Sequence, residues 1–176
     1  MHSKSYRFLT PLIMVLTWAN MEAQTSHPVP RLVVNVTIDQ LRTDYMEAFS
    51  SLFGAGGFNK VMRDGRSYMD GAHPFSHIDR ASAVACIMTG TVPYDNGIVG
   101  EHWMDRKTLR PMYCVDDATC EGWLTSEKYS PVALNVSTVT DELKMATGGR
   151  ALVYSIAPDA DAAILAAGHA ADGAFW

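Results

Sequence analysis

The chain has 176 residues, 14 Lys and Arg against 19 Asp and Glu, a formal charge of -5 and 48% hydrophobic residues. That is globular composition, which excludes a disordered, collagenous or coiled-coil chain, and the length suits one domain. The mild acidity excludes a nucleic-acid binder, because gripping a phosphate backbone needs a basic face.

Residues 1–23 read as a secretory signal peptide. Lys4 and Arg7 make a basic start, Phe8 to Trp18 is apolar apart from Thr and Pro, and Ala19 and Ala23 offer small cleavage positions. The run falls short of the roughly 20 residues a bilayer span needs. The alternative is an uncleaved anchor or a buried first helix. On the signal reading the protein is exported, periplasmic or secreted, with no membrane span after cleavage. Residues 24–31, with Pro28 and Pro30, read as a linker, and the folded part is 32–176.

Leu32 to Ile38, LVVNVTI, reads as a buried strand, because near-continuous apolar residues suit a parallel strand covered on both faces. Gln40 to Ala48 reads as a helix, Phe58 to Arg63 as a short helix and Arg66 to Met69 as a strand. Arg80 to Thr89 is predicted to be a helix, capped by Asp79 and stopped by Gly90. Met112 to Val115 reads as a strand. Thr138 to Thr147 is a helix with Thr138 as cap, Asp141 three residues on and Gly148-Gly149 as stop. Ala151 to Ile156 reads as another buried strand and Asp159 to Leu165 as a short helix. This alternation predicts an α/β fold, a central, largely parallel sheet flanked by helices.

Export permits disulfides. Cys114 and Cys120, in YCVDDATC, are close enough for a small bridged loop, and Cys86 reads as a buried thiol. The cysteines match no zinc-ribbon spacing. The sequons at Asn35 and Asn135 carry little weight.

Few residues could carry chemistry. Asp39 follows the LVVNVTI strand, and ligands of open α/β sheets bind beyond the carboxyl ends of strands. A carboxylate there is either a hard metal ligand or a cap for the next helix. The helix start at Asp79-Arg80 offers free N–H groups, but neither side chain is a hydroxyl or thiol, and Ser82 reads as helix packing. Asp95, Asn96, Glu101, His102 and Asp105 form a polar set of turn residues. His73 and His77 are separated by Pro74, so they do not share a helical face. His169 reads as structural.

Four segments in order carry a resemblance. They are VNVTIDQLRTDYM, GAGGFNKVMRDGRSY, ASAVACIMTGTVPYDNGIVGEHWMDR and ALVYSIAPDADAAILAAGHAADGAFW. Together they resemble the alkaline phosphatase superfamily, near its exported phosphatases and type I phosphodiesterase/nucleotide pyrophosphatase members. The resemblance runs from about Arg31 to Trp176. It implies a two-metal site of zinc or another divalent ion at the strand ends, a small-molecule ester substrate, and a Thr or Ser nucleophile that forms a covalent phospho-enzyme. It also makes Asp39 a metal ligand.

The departures are specific. The family's nucleophile position falls on Arg80, and a guanidinium cannot be deprotonated to attack phosphorus. The phosphate-contacting Asn falls on Glu101, and the Lys and Arg of the monoesterase branch fall on Asp159 and Asp161. A neutral donor and two cations have become three carboxylates where a phosphate dianion would sit, and like charges at close range repel strongly in a dry site. Arg80 is therefore expected to pair with at least one of Glu101, Asp159 and Asp161. Two functions follow: a metal-dependent phosphoester hydrolase with substituted nucleophile and clamp positions, or an inactive pseudoenzyme or binding module that keeps the fold. The family's remaining metal ligands have no counterpart here. The chain therefore reads as the amino-terminal part of a longer domain, expected to be inactive and poorly stable alone.

Overall fold

The structure, a computed structural model, describes residues 29–176. The predicted signal peptide, 1–23, lies outside the described residues, as does most of the linker. Residues 29–33 belong to a separate compact unit and hold no helix or strand. In the unit Val34–Trp176 the elements run α1 (Thr43–Ala48), a 3-10 turn (Ser50–Leu52), α2 (Gly57–Asp64), α3 (Arg80–Thr89), α4 (Pro93–Asn96), β1 (His102–Met104), β2 (Pro111–Tyr113), α5 (Val139–Ala146), β3 (Tyr154–Ile156), α6 (Ala160–Ala167) and β4 (Gly173–Phe175). No described helix is long and apolar enough to cross a membrane.

The predicted capping residues make the helices that pack. Asp79 caps α3: its carboxylate accepts from the Ser82 amide at 2.8 Å while the Ser82 hydroxyl accepts from the Asp79 amide at 3.1 Å. Gly90 ends α3 with φ +69, a left-handed turn that glycine enters without a Cβ penalty. Thr138 and Asp141 cap α5 in the same reciprocal way. Asn96 is buried where α4 ends. Its amide donates to the Thr91 carbonyl and its side-chain oxygen accepts from the Ile98 amide.

Strands β1 and β2 form an antiparallel hairpin that pairs His102 with Tyr113. Asp105 closes its turn by accepting from the Lys107 amide and the Thr108 hydroxyl. Strands β3 and β4 pair in parallel, with α6 as the crossover between them. This β-α-β unit places the chain in the α/β class, as parallel pairing needs a crossover. Helix α6 packs on α3. Ala81, Val84, Ala85 and Met88 meet Ala160, Ile164 and Leu165 in one cluster that also takes in Ile98, Cys114, Val115 and Leu134. Burying a side chain such as Leu165 contributes roughly 1.5–3 kcal/mol.

Several expectations are corrected. Leu32 to Ile38 forms no strand, and Val34, Val36 and Ile38 are exposed. Its apolar run signals a strand to be covered, and no described segment covers it. Arg66 to Met69 is irregular chain. Helix α1 starts at Thr43 with Arg42 at its cap, because Gln40 takes a left-handed turn at φ +58 that breaks helical entry; Asp39 therefore caps nothing. The strand expected at Ala151–Ile156 shortens to β3, whose Tyr154 and Ile156 face outward. Cys86 is half-buried rather than buried, and Cys114 and Cys120 are both free thiols.

Candidate functional site

Arg80 is the first residue of α3, so its side chain leaves the helix at its amino-terminal end. The guanidinium grips Asp161 as a fork: Nε lies 3.1 Å from Oδ2 and Nη2 lies 2.9 Å from Oδ1. Its Nη1 lies 3.0 Å from Asp159 Oδ2 and its Nη2 lies 3.7 Å from Glu101 Oε2. The two-bond fork is the strong member of this set, since it matches two parallel N–H groups to two carboxylate oxygens.

Burial differs sharply among the four. The Asp161 side chain is 0% exposed and that of Arg80 28%, whereas Glu101 and Asp159 retain 38% and 47%. Asp161 sits in the first turn of α6, where the helix dipole favours an anion, and Asp159 is the cap residue just before it. The Asp161 backbone N–H donates to the Tyr113 hydroxyl oxygen at 3.2 Å, which ties the hairpin to the start of α6. The hydrogen bond to Asp161 is the main cause holding Arg80 above its usual pKa. Burial works against it, and the charges of Asp161, Asp159 and Glu101 reinforce it. Burial, then the Asp161 charge, push the Tyr113 phenol above its ordinary range.

Asp79 fixes the two sides of this network. One carboxylate oxygen caps α3; the other accepts from the Glu101 amide at 2.5 Å. Burial alone would raise its pKa, but the bonds from Ser82 and Glu101 outweigh burial and hold it below the usual carboxylate range. The Ser82 hydroxyl is fully buried and bonded to Asp79 at 2.7 Å. Burial pushes the Cys114 thiol up to about 12, with the charges of Asp161, Asp79 and Glu101 adding to it, so it stays protonated. Neither hydroxyl nor thiol beside Arg80 is thus a free nucleophile.

The structure brings together Arg80, Glu101, Asp159 and Asp161. Asp39 is an exposed turn residue. Among the described residues no three His, Cys, Asp or Glu side chains are grouped to hold a metal ion. A zinc site is therefore not assembled by the described residues. Of the polar set near Glu101, Asn96 and Asp105 serve turns, and His102 stacks on Tyr113 with ring centroids 4.8 Å apart. Sequence reasoning missed Tyr113 and the second bond of Asp79. A cap is legible in a sequence, but a partner 22 residues away is not.

A second polar cluster extends the predicted Thr138–Asp141 cap to His169 and Ala170, which the sequence did not signal. Asp141 Oδ2 accepts from the Thr138 amide at 2.9 Å and from its hydroxyl at 2.8 Å, and Oδ1 accepts from the Ala170 amide at 2.8 Å. His169 Nδ1 lies 3.1 Å from Asp141 Oδ2. Burial pushes Asp141 up, but these bonds together prevail and hold its pKa down at about 2.

Comparison with known proteins agrees with this architecture. The type I phosphodiesterase / nucleotide pyrophosphatase family profile matches residues 33–176. The alkaline phosphatase PhoV of Synechococcus elongatus is 41% identical over 150 residues, 84% of this chain and 27% of that protein. The alkaline phosphatase PafA of Elizabethkingia meningoseptica is 33% identical over 179 residues, 97% of this chain and 32% of that protein. The crystal structure of wild-type PafA superposes with a TM-score of 0.78 at 35% identity, covering 85% of this chain and 30% of that one. The chain thus spans about a third or less of the length of these relatives.

Proposed function

This chain belongs to the type I phosphodiesterase/nucleotide pyrophosphatase family of the alkaline phosphatase superfamily, and from that premise we propose that it is the amino-terminal part of an exported protein whose phosphate pocket is filled by its own ion pairs. The family reaction is metal-dependent hydrolysis of phosphoesters. In this chain the pocket holds Arg80 where the nucleophile belongs, and the reading supported best is a fold kept without phosphoester turnover at that position.

One observation carries it: the Arg80–Asp161 fork. A guanidinium cannot attack phosphorus. One cation against three carboxylates leaves the cluster net negative, so an incoming phosphate dianion meets repulsion instead of a clamp. Asp39 is the proposed metal ligand from this chain. The other donors of a zinc or similar divalent site have to come from outside the described residues, so no step is assigned to a metal here. Export rests on the signal pattern of residues 1–23.

The second reading is a hydrolase with a changed substrate, a cationic or sugar-like ester. The partial exposure of Glu101 and Asp159 favours it, since both carboxylates reach solvent. The test is an assay of the full-length protein, loaded with zinc, on a chromogenic phosphate monoester and diester. No turnover is expected. Turnover that disappears in Asp39→Ala would overturn the inactive reading.

A further inference from the structure

The turn between β1 and β2 takes no part in the function proposed above. Three of the five residues 106–110 are cations, Arg106, Lys107 and Arg110, in a chain whose formal charge is -5. All three are exposed. Among the described residues the Lys and Arg ion pairs use other cations, Arg42, Lys60, Arg63, Arg80 and Lys144. The one carboxylate of the turn, Asp105, is engaged within it: Oδ1 accepts from the Lys107 amide at 2.9 Å and Oδ2 from the Thr108 hydroxyl at 2.8 Å. Backbone bonds close the turn as well. The Asp105 amide donates to the Arg110 carbonyl at 2.9 Å and the Leu109 amide to the Asp105 carbonyl at 2.8 Å. The cations therefore stand on a fixed turn.

Leu109 supplies a second observation. Its backbone is held at φ +53, a left-handed conformation that a leucine enters at a cost, yet the residue is 74% exposed, so no burial offsets that cost. Met104, at the end of β1, is 56% exposed. Unpaired cations beside an exposed apolar side chain match the chemistry of an anionic lipid surface. The headgroups attract each Lys or Arg that comes near, and the acyl boundary beneath them takes up an apolar side chain. A polyanion in water would satisfy the cations but leave Leu109 exposed, so the pairing favours lipid.

We propose that the β1–β2 turn is a membrane-docking tip, with Arg106, Lys107 and Arg110 among anionic headgroups and Leu109 entering the layer beneath them. Three cations and one leucine give weak, reversible attachment, and the overall acidity of the chain keeps the rest of its surface away from the same lipid.

The test sediments the full-length protein with vesicles of phosphatidylcholine, with and without phosphatidylglycerol, at rising salt. Binding is expected to grow with the phosphatidylglycerol content and to fall as salt rises from about 0.05 M to about 0.5 M. Replacing Arg106, Lys107 and Arg110 together by Gln is expected to weaken it about a hundredfold, at about fivefold per cation. Leu109→Asn, which suits the left-handed backbone, is expected to weaken it about tenfold and leave the salt dependence in place. Equal binding to both kinds of vesicle, or unchanged affinity in the triple variant, would overturn the proposal. Capture by soluble heparin, or pairing of two copies, without vesicle binding would overturn it too. The lipid and salt titrations of the unaltered protein decide the matter even if a variant folds poorly.

Discussion

Helices α2 and α3 make opposite use of their sequences. Helix α2, GFNKVMRD, has the cleaner division into an apolar and a polar side, yet none of its residues is buried. Helix α3, RASAVACIMT, has almost no such division, and Ala81, Ser82, Val84, Ala85 and Met88 are all buried. The difference lies in partners. Helix α3 is met by α6, whose own alanines let the two come close, whereas α2 is flanked by a 3-10 turn with exposed Leu52 and by irregular chain with exposed Tyr68 and Met69. An amphipathic pattern says that a face would gain from cover; only long-range structure says whether cover is there.

Four measurements would break or sharpen that contrast. Leu165→Ala opens a hole in the α3–α6 contact and is expected to lower the unfolding free energy by about 4 kcal/mol in urea titration; a loss below about 1 kcal/mol would mean this contact is not the core. Arg80→Ala strips the partner from a fully buried Asp161, with an expected loss of about 3 kcal/mol, set near the low end because Arg80 is partly exposed. Asp141→Asn bears on acid stability. The folded pKa of Asp141, about 2, lies below its ordinary 3.8, so its contribution is complete above the ordinary value and is lost as pH falls through about 2. That contribution is about 2 kcal/mol, and the variant's stability is expected to change less over this acidic span than the original's. Val61→Ala in α2, where Val61 is 67% exposed, is expected to change stability by less than about 0.5 kcal/mol. A large effect there would show that α2 is covered in solution.

The sequence was informative where local chemistry decides. Asp79, Gly90 and Thr138 announced the limits of α3 and α5, because a cap satisfies backbone groups within one turn. The pairing of Arg80 with Asp159 and Asp161 was expected from the resemblance, which placed them in one pocket; spacing alone, 81 residues between Arg80 and Asp161, holds no such signal. The strand expected at Leu32–Ile38 failed for the opposite reason. Its residue types suit a strand, but a strand exists only when another lies beside it, and β-branched composition does not supply the neighbour. Asp141 and His169, 28 residues apart, were read separately as a cap and a structural residue.

Asp79 binds the start of α3 with one oxygen and the Glu101 amide with the other. Residues 80–100 therefore leave from and return to a single carboxylate, like a cord knotted at its base. The gap between Arg80 and Glu101 is set at that knot, while the cord itself is held along its length by Ala81, Val84, Ala85, Met88 and Ile98, which belong to the core.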